Sequence, residues 1–459
     1  DIKADLFDAN TVYVTLDNHK EGDYSPYLFK STDKGMTWKS ISSNIPDRTL
    51  VWRMVQDPVK ANLLFAATEY GIYTSLNGGT SWQKLPGTPT ISFRDLTIQK
   101  RENDLVAASF GRGFFVLDDY SALREFTLGN LNKEGKLFQP RPAKWFVQRS
   151  NVGNTGADYY FAKNPEYGAV FTYHLSKEYK MQKSLRQKRE KELNKAEKNV
   201  PFPGWEALDA EKQEMPAQVI LTIEDQQGNV INKVKKKASK GSHRIAWNLE
   251  HFNPFAISMN GRSRRGGGAL ATPGTYQATL HLEKDGNVTK LDGPISFEVK
   301  PIREGVLKGA GYAEYNAFRT DLTSFIQQIS EVQDKFDQSK KKLKALSTAV
   351  DRSKLSPGSL EPKIADLKVA IASVDFMLEG SPSKEEIGER NPSGVQRYLY
   401  NAFDGMGHSY GPTALHKKSL EIAKSMLVKV ETEVDKIVNS MIPKIEEALK
   451  VADAPYISN

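Results

Sequence analysis

Three short loops hold the residues best suited to chemistry. Asp17, His19, Glu21, Asp23 and Tyr24 crowd the first, Glu69 and Tyr70 form the second, and Phe110 and Arg112 lie in the third. Asp47, Arg48, Trp52 and Arg94 sit in or just after two further connections. Carboxylates accept bonds from hydroxyl and amide groups, guanidinium groups offer a planar fork of donors, and aromatic rings give a flat apolar surface. Together they suit recognition of a sugar or a peptide. Two carboxylates ~5 to 9.5 Å apart could also cleave a glycosidic bond. The candidate ligand-binding set is therefore Asp17, His19, Asp23, Trp52, Glu69, Tyr70, Arg94 and Arg112, with no catalytic residue assigned. The plainer alternative is that these charges are solvated, or tie neighbouring strands together.

The elements that must position these loops are short strands. Ser31 to Trp38 reads Ser-Thr-Asp-Lys-Gly-Met-Thr-Trp, a full match to the Asp-box pattern Ser-x-Asp-x-Gly-x-Thr-Trp, and Ser75 to Trp82 is a weaker copy. The two start 44 residues apart, the period of a four-stranded β-propeller blade. Asp33 and Asn77 are expected to cap a tight turn through backbone N–H groups. Gly35 and Gly79 supply positive φ, and Trp38 and Trp82 should fill core sites between strands. Ser31 and Ser75 complete this structural set. Strands and turns recur from Asn10, Asn62 and Asn103 at periods of 52 and 41 residues, giving about two and a half blades over 1–126. In a blade with strands a to d, the c–d turns lie on one face and the b–c and d–a loops on the other. The Asp boxes should thus face away from the candidate ligand residues.

Composition narrows the classes. The 459 residues carry 64 basic and 56 acidic side chains, a net charge of +8 that could favour an anionic surface or polymer and that solubility explains equally well. With no cysteine, disulfides, thiolate catalysis and zinc–thiolate sites are excluded. No apolar run approaches the ~18 residues of a membrane span. The histidines are scattered without ligand-like spacing, so neither a metal nor any other cofactor is expected. No P-loop, Ser-His-Asp arrangement, sialidase arginine triad or basic–aromatic stripe for nucleic acid is legible.

Beyond the repeats, 127–158 reads as a proline-punctuated connector. Residues 159–302 alternate like an immunoglobulin-like β-sandwich, with Trp247 as its core aromatic and a charged helical insertion at 177–215. Gly261 to Gly268 reads as a flexible arginine- and glycine-rich surface loop. Residues 303–459 carry apolar stripes at three- and four-residue spacing, predicting an antiparallel helical bundle. Its last helix is read from Pro412-Thr413, with a stripe through Leu415, Ile422, Met426, Val430, Val434, Ile437, Met441, Ile445 and Leu449 and a bend at Pro443.

The chain resembles the C-terminal part of bacterial Asp-box (BNR) β-propeller proteins related to sortilin-type receptors, often labelled glycosyl hydrolases. The resemblance runs through Trp52 to Pro58, Leu63 to Gly71, the second box, Glu102 to Val106, Gly111-Arg112-Gly113 with Asp118-Asp119, Asn164 to Val170, and Pro273 to Tyr276. The family has Thr-His before Gly-Arg-Gly where this chain has Ser109-Phe110, so no role of that histidine is carried over. The resemblance implies a protein outside the cytoplasm, periplasmic, at the cell surface or secreted, that binds protein or glycan partners. Glycoside hydrolysis on the loop face is the alternative. Propellers close with ~4 to 8 blades, so further N-terminal blades are expected as a companion fragment, held without disulfides.

Overall fold

The computed structural model describes residues 1–148, 162–257, 259, 267–306, 308–455 and 457. Most of the arginine-rich loop expected at 261–268, and the connector boundary near 158, lie outside the described residues. The fold is mixed β and α, with several antiparallel sheets followed by C-terminal helices. It divides into two compact units: 1–143 with 157–248 and 275–299, and 144–156 with 249–274 and 300–459.

The first unit opens with three antiparallel sheets in succession. Ile2–Ala4, Val12–Asn18, Asp23–Ser31 and Lys39–Ser40 pair in chain order, as do Val51–Gln56, Leu64–Thr68, Gly71–Ser75 and Gln83–Lys84. The third sheet has three strands, Phe93–Gln99, Asp104–Ser109 and Phe114–Leu117. Connections this short permit only hairpin pairing. Ile2–Ala4 was not anticipated, because three residues are too few to display an alternation.

The repeat is exact to single hydrogen bonds. Lys34 N–H donates to the Asn10 carbonyl at 2.9 Å, Gly78 N–H to that of Asn62 at 2.8 Å, and Tyr120 N–H to that of Asn103 at 2.9 Å. The second sheet is covered on both faces, and every residue of its two inner strands is buried. Leu64, Ala66 and Tyr73 pack with Tyr13, Leu28 and Ile41 of the first sheet; Leu63, Phe65, Ala67 and Ile72 pack with Phe93, Leu96 and Leu105 of the third. A buried carboxylate ties the second sheet to the end of the third. Asp57 receives the Tyr120 hydroxyl at 2.7 Å and two Arg124 nitrogens at 2.8 and 3.0 Å. Burial works to raise the Asp57 carboxyl, but these bonds outweigh it and hold it below its ordinary range.

Two further antiparallel sheets complete this unit. Gly135–Leu137, Ala169–Leu175 and Gly241–Trp247 form one, while Gly274–Lys284 lies between Asn287–Pro301 and Gln218–Glu224 in the other. Aromatic side chains join them: Phe171 and Trp247 from the first meet Phe297 and Tyr276 from the second at ring distances of 5.0 to 6.1 Å. Gly168 has φ of +103°, and a Cβ there would come within 1.9 Å of the Trp247 carbonyl oxygen. Within 177–215 the structure has two helices, Gln182–Lys195 and Trp205–Gln213, joined by a fork from Arg186 to Glu211 at 2.7 and 2.8 Å.

The second unit is helical. Tyr312–Asp351, Glu361–Glu379, Val395–Asp404 and Ala414–Lys436 enclose a core that includes Phe325, Ile329, Phe336, Leu346, Ile371, Val374 and Leu427. Thr413 and His416 form a reciprocal cap at the start of the last of these. Along it the stripe differs from the sequence reading. Leu415 is exposed, and over the first half the buried line runs Leu420, Ala423, Leu427; further along, the expected Val430, Val434, Ile437, Ile445 and Leu449 are buried. The 3–4 spacing permits either line, and only packing chooses between them. At Ile437–Met441 the helix widens into a π turn before continuing as Ile442–Val451. Pro443, which lacks an N–H and would crowd a regular helical turn, follows directly.

Candidate functional site

The segments Ser31–Trp38 and Ser75–Trp82 each lie between the third and fourth strands of their sheets and share one bonding pattern. The Ser31 hydroxyl donates to Asp33 at 2.7 Å and accepts from Gly35 N–H at 2.9 Å, and Thr37 N–H donates to Asp33 at 2.9 Å. Ser75, Asn77, Gly79 and Ser81 repeat these bonds, each at 2.9 Å. Bonds from the Thr37 side chain and backbone pull the Asp33 carboxyl down to about 2. Asp33 and Asn77 are thus spent on their own turns. The two tryptophans diverge from expectation. Trp82 is 4% exposed, while Trp38 is 45% exposed, because the neighbouring sheet covers only the second box.

At the opposite strand ends, five candidates and Phe110 converge. Trp52 and Arg94 occupy matching places in the second and third sheets. In each case the pairing register shifts around that residue, between Val51 and Arg53 and opposite the Ala108–Ser109 step. Each is the extra residue of a β-bulge, a device that re-aims a side chain out of the ladder. The Arg94 guanidinium lies over the Trp52 indole, 3.6 Å from carbon to ring centre, and 5.2 Å from the Phe110 ring. One oxygen of Glu69 accepts from the Trp52 indole N–H at 3.0 Å and the Ser92 hydroxyl at 2.9 Å, with an Arg94 nitrogen at 3.9 Å. His19 meets the Trp52 ring edge-on at 5.5 Å, and its Nδ1 bonds the Asp17 carboxylate.

Three candidates stand apart from this cluster. Asp23 is engaged by the Tyr27 hydroxyl and by Ser25 N–H, which hold it below its ordinary range. Tyr70 is half-exposed, and Arg112 is exposed on the Gly111–Gly113 turn. Ser92 was missed by the sequence reading. Its position two residues before Arg94, in the same connection, was the available signal. Among the described residues, no cluster of acidic groups and histidines is placed to hold a metal ion, and no helix is long and apolar enough to cross a membrane.

No family model matches the chain, and no curated protein does. Among solved structures it is similar to the GH74 enzyme of Niastella koreensis, at 14% identity over 26% of this chain and 20% of that one, with a TM-score of 0.23. It is similar to an ancestral GH74 enzyme at 16% identity over 64% and 31%, with a TM-score of 0.21. It is also similar to the GH74 xyloglucanase of Xanthomonas campestris at 11% identity over 63% and 37%, with a TM-score of 0.21. The chain thus spans 20% to 37% of these relatives' lengths, and the likenesses are too distant to bear on function.

Proposed function

We propose that the chain is part of an extracytoplasmic binding or scaffold protein. Its three opening sheets are read as blades of an Asp-box β-propeller, its paired sheets as an immunoglobulin-like sandwich, and its helices as a bundle. The ligand surface is the loop face around Trp52, Glu69 and Arg94, and the ligand is a glycan or a peptide segment.

The observation that carries this reading is the pair of matched bulges. Two successive sheets each give up a ladder position to present one large side chain, and the two stack on each other. Arginine on tryptophan, beside a carboxylate oriented by two donors, is a preformed polar and aromatic platform. Aromatic and arginine side chains most often carry recognition energy. Hydrolysis is the weaker reading. A glycosidase needs a second carboxylate at a set distance, and here Asp17 is occupied by His19 and Asp23 by Tyr27. The test is a glycan and peptide screen on the complete protein, repeated with Trp52→Ala. Unchanged binding in that variant overturns the surface; turnover of a glycan that Glu69→Gln abolishes favours the hydrolase.

A further inference from the structure

The lock between the first and second sheets is written in named atoms. The Trp82 indole N–H donates to the Ile41 carbonyl at 2.6 Å. The Asn44 side chain bridges the Trp82 backbone, accepting from its N–H at 2.7 Å and donating to its carbonyl at 2.6 Å. Gly79 lies so close that a Cβ on it would come within 2.6 Å of the Ile41 side chain. Behind this lock, Leu64, Ala66 and Tyr73 are buried against the first sheet.

The first sheet carries the same docking features on its outer face, and among the described residues nothing occupies them. Trp38 stands where Trp82 does and is 45% exposed. Gly35 stands where Gly79 does, and a Cβ there would meet only its own Trp38 ring, at 3.6 Å. Val12, Val14 and Phe29 match Leu64, Ala66 and Tyr73, yet all three are only partly buried.

We propose that this face is a docking surface for one further four-stranded Asp-box sheet. That sheet would present, after its last strand, a turn with the chemistry of Ile41 to Asn44: an apolar residue whose carbonyl receives the Trp38 indole, and an asparagine three residues on that bridges the Trp38 backbone. The occupant is defined by continuity with the interface that already exists one repeat along. The inference is independent of the ligand platform, which lies at the strand ends opposite the Trp38 turn.

The test adds the occupant to the whole chain. A copy of residues Asp1 to Trp52 is joined ahead of Asp1, which keeps the 52-residue offset that separates Asp5 from Asp57. The copy carries Trp38→Phe, so that the original Trp38 can be followed by hydroxyl-radical oxidation and mass spectrometry. Oxidation of Trp38 should fall roughly tenfold, the ratio of the 45% and 4% exposures of Trp38 and Trp82. Asn44→Ala in the copy should restore most of it. Trp38 oxidised as fast as in the unextended chain, whether or not the copy folds, overturns the proposal. So does Trp38 protection that rises with concentration in the unextended chain, because a second copy of the chain would then be the occupant.

Discussion

The Asp57 carboxylate receives the Tyr120 hydroxyl at 2.7 Å across 63 residues of sequence, at a site where Asp57 has no solvent exposure. Arg124 closes the same site from the side. Removing one partner of a buried ion pair leaves the other uncompensated, which typically costs ~3 to 5 kcal/mol. Asp57→Ala should lower stability by about that amount in urea unfolding, and Tyr120→Phe by ~1 kcal/mol, the worth of one hydrogen bond.

Asp57 also sets a pH dependence. Its carboxyl is held below the ordinary value of 3.8 in the folded state. A depressed folded pKa stabilises fully above the unfolded value, and that contribution is lost as pH falls through the folded one. The folded chain should therefore lose stability as pH drops below about 4. Asp57→Asn should be less stable at neutral pH and show a shallower acid loss. Urea midpoints measured between neutral pH and pH 3 check both expectations.

The two box tryptophans should differ in worth. Trp82→Ala empties a packed site and should cost ~3 to 5 kcal/mol. Trp38→Ala should cost no more than ~1.5 kcal/mol, because half of its surface is already in water. Equal losses by chemical denaturation would mean that Trp38 is buried in solution. Asp33→Ala should weaken the chain less than Trp82→Ala and leave ligand affinity of the folded fraction unchanged.

On the loop face, Trp52→Ala and Arg94→Ala should each weaken ligand binding at least ~10-fold, as loss of a hot-spot residue does. Arg112→Ala should weaken it less, since Arg112 lies outside the stack. Titration calorimetry with a ligand from the screen gives the ranking. An affinity lost with Asp33→Ala and kept with Trp52→Ala would reverse the assignment of the two faces.

Gly168→Ala should be among the most damaging single-methyl changes in the chain. Its Cβ would meet the Trp247 carbonyl oxygen at 1.9 Å, and backbone cannot swing aside as a side chain can. A loss above ~3 kcal/mol is expected, beyond the usual range for point changes. A urea midpoint shift of less than ~1 kcal/mol equivalent would contradict the close approach.

Much of the local structure could be read from the chain. The boxes at Ser31 and Ser75 fixed two turns, because Asp, Gly and Ser at those offsets leave the backbone few alternatives. Five of the eight candidate ligand residues do meet, since strand alternation sends their loops to one end. What the sequence withheld depends on neighbours. Trp38 and Trp82 have the same local pattern, and only the sheet packed against Trp82 distinguishes them. Leu415 obeys the helical spacing, yet lies off the buried line. The bulges at Trp52 and Arg94 were illegible because an extra ladder residue is defined by its partner strand.

The π turn at Ile437–Met441 makes two distant kinds of mutation interdependent. It steps the buried line five residues, from Ile437 to Ile442, where a regular helix would step four. Losing one residue from this turn would therefore keep Ile445 and Leu449 facing inward, but would thrust the Pro443 ring against the preceding turn. Replacing Pro443 alone should leave the turn wide, because narrowing it without losing a residue would rotate Ile445 and Leu449 off the buried line. A shortened turn should be harmful with Pro443 and nearly silent with alanine in its place. The order in which the two changes arise would then decide whether a lineage can make them at all.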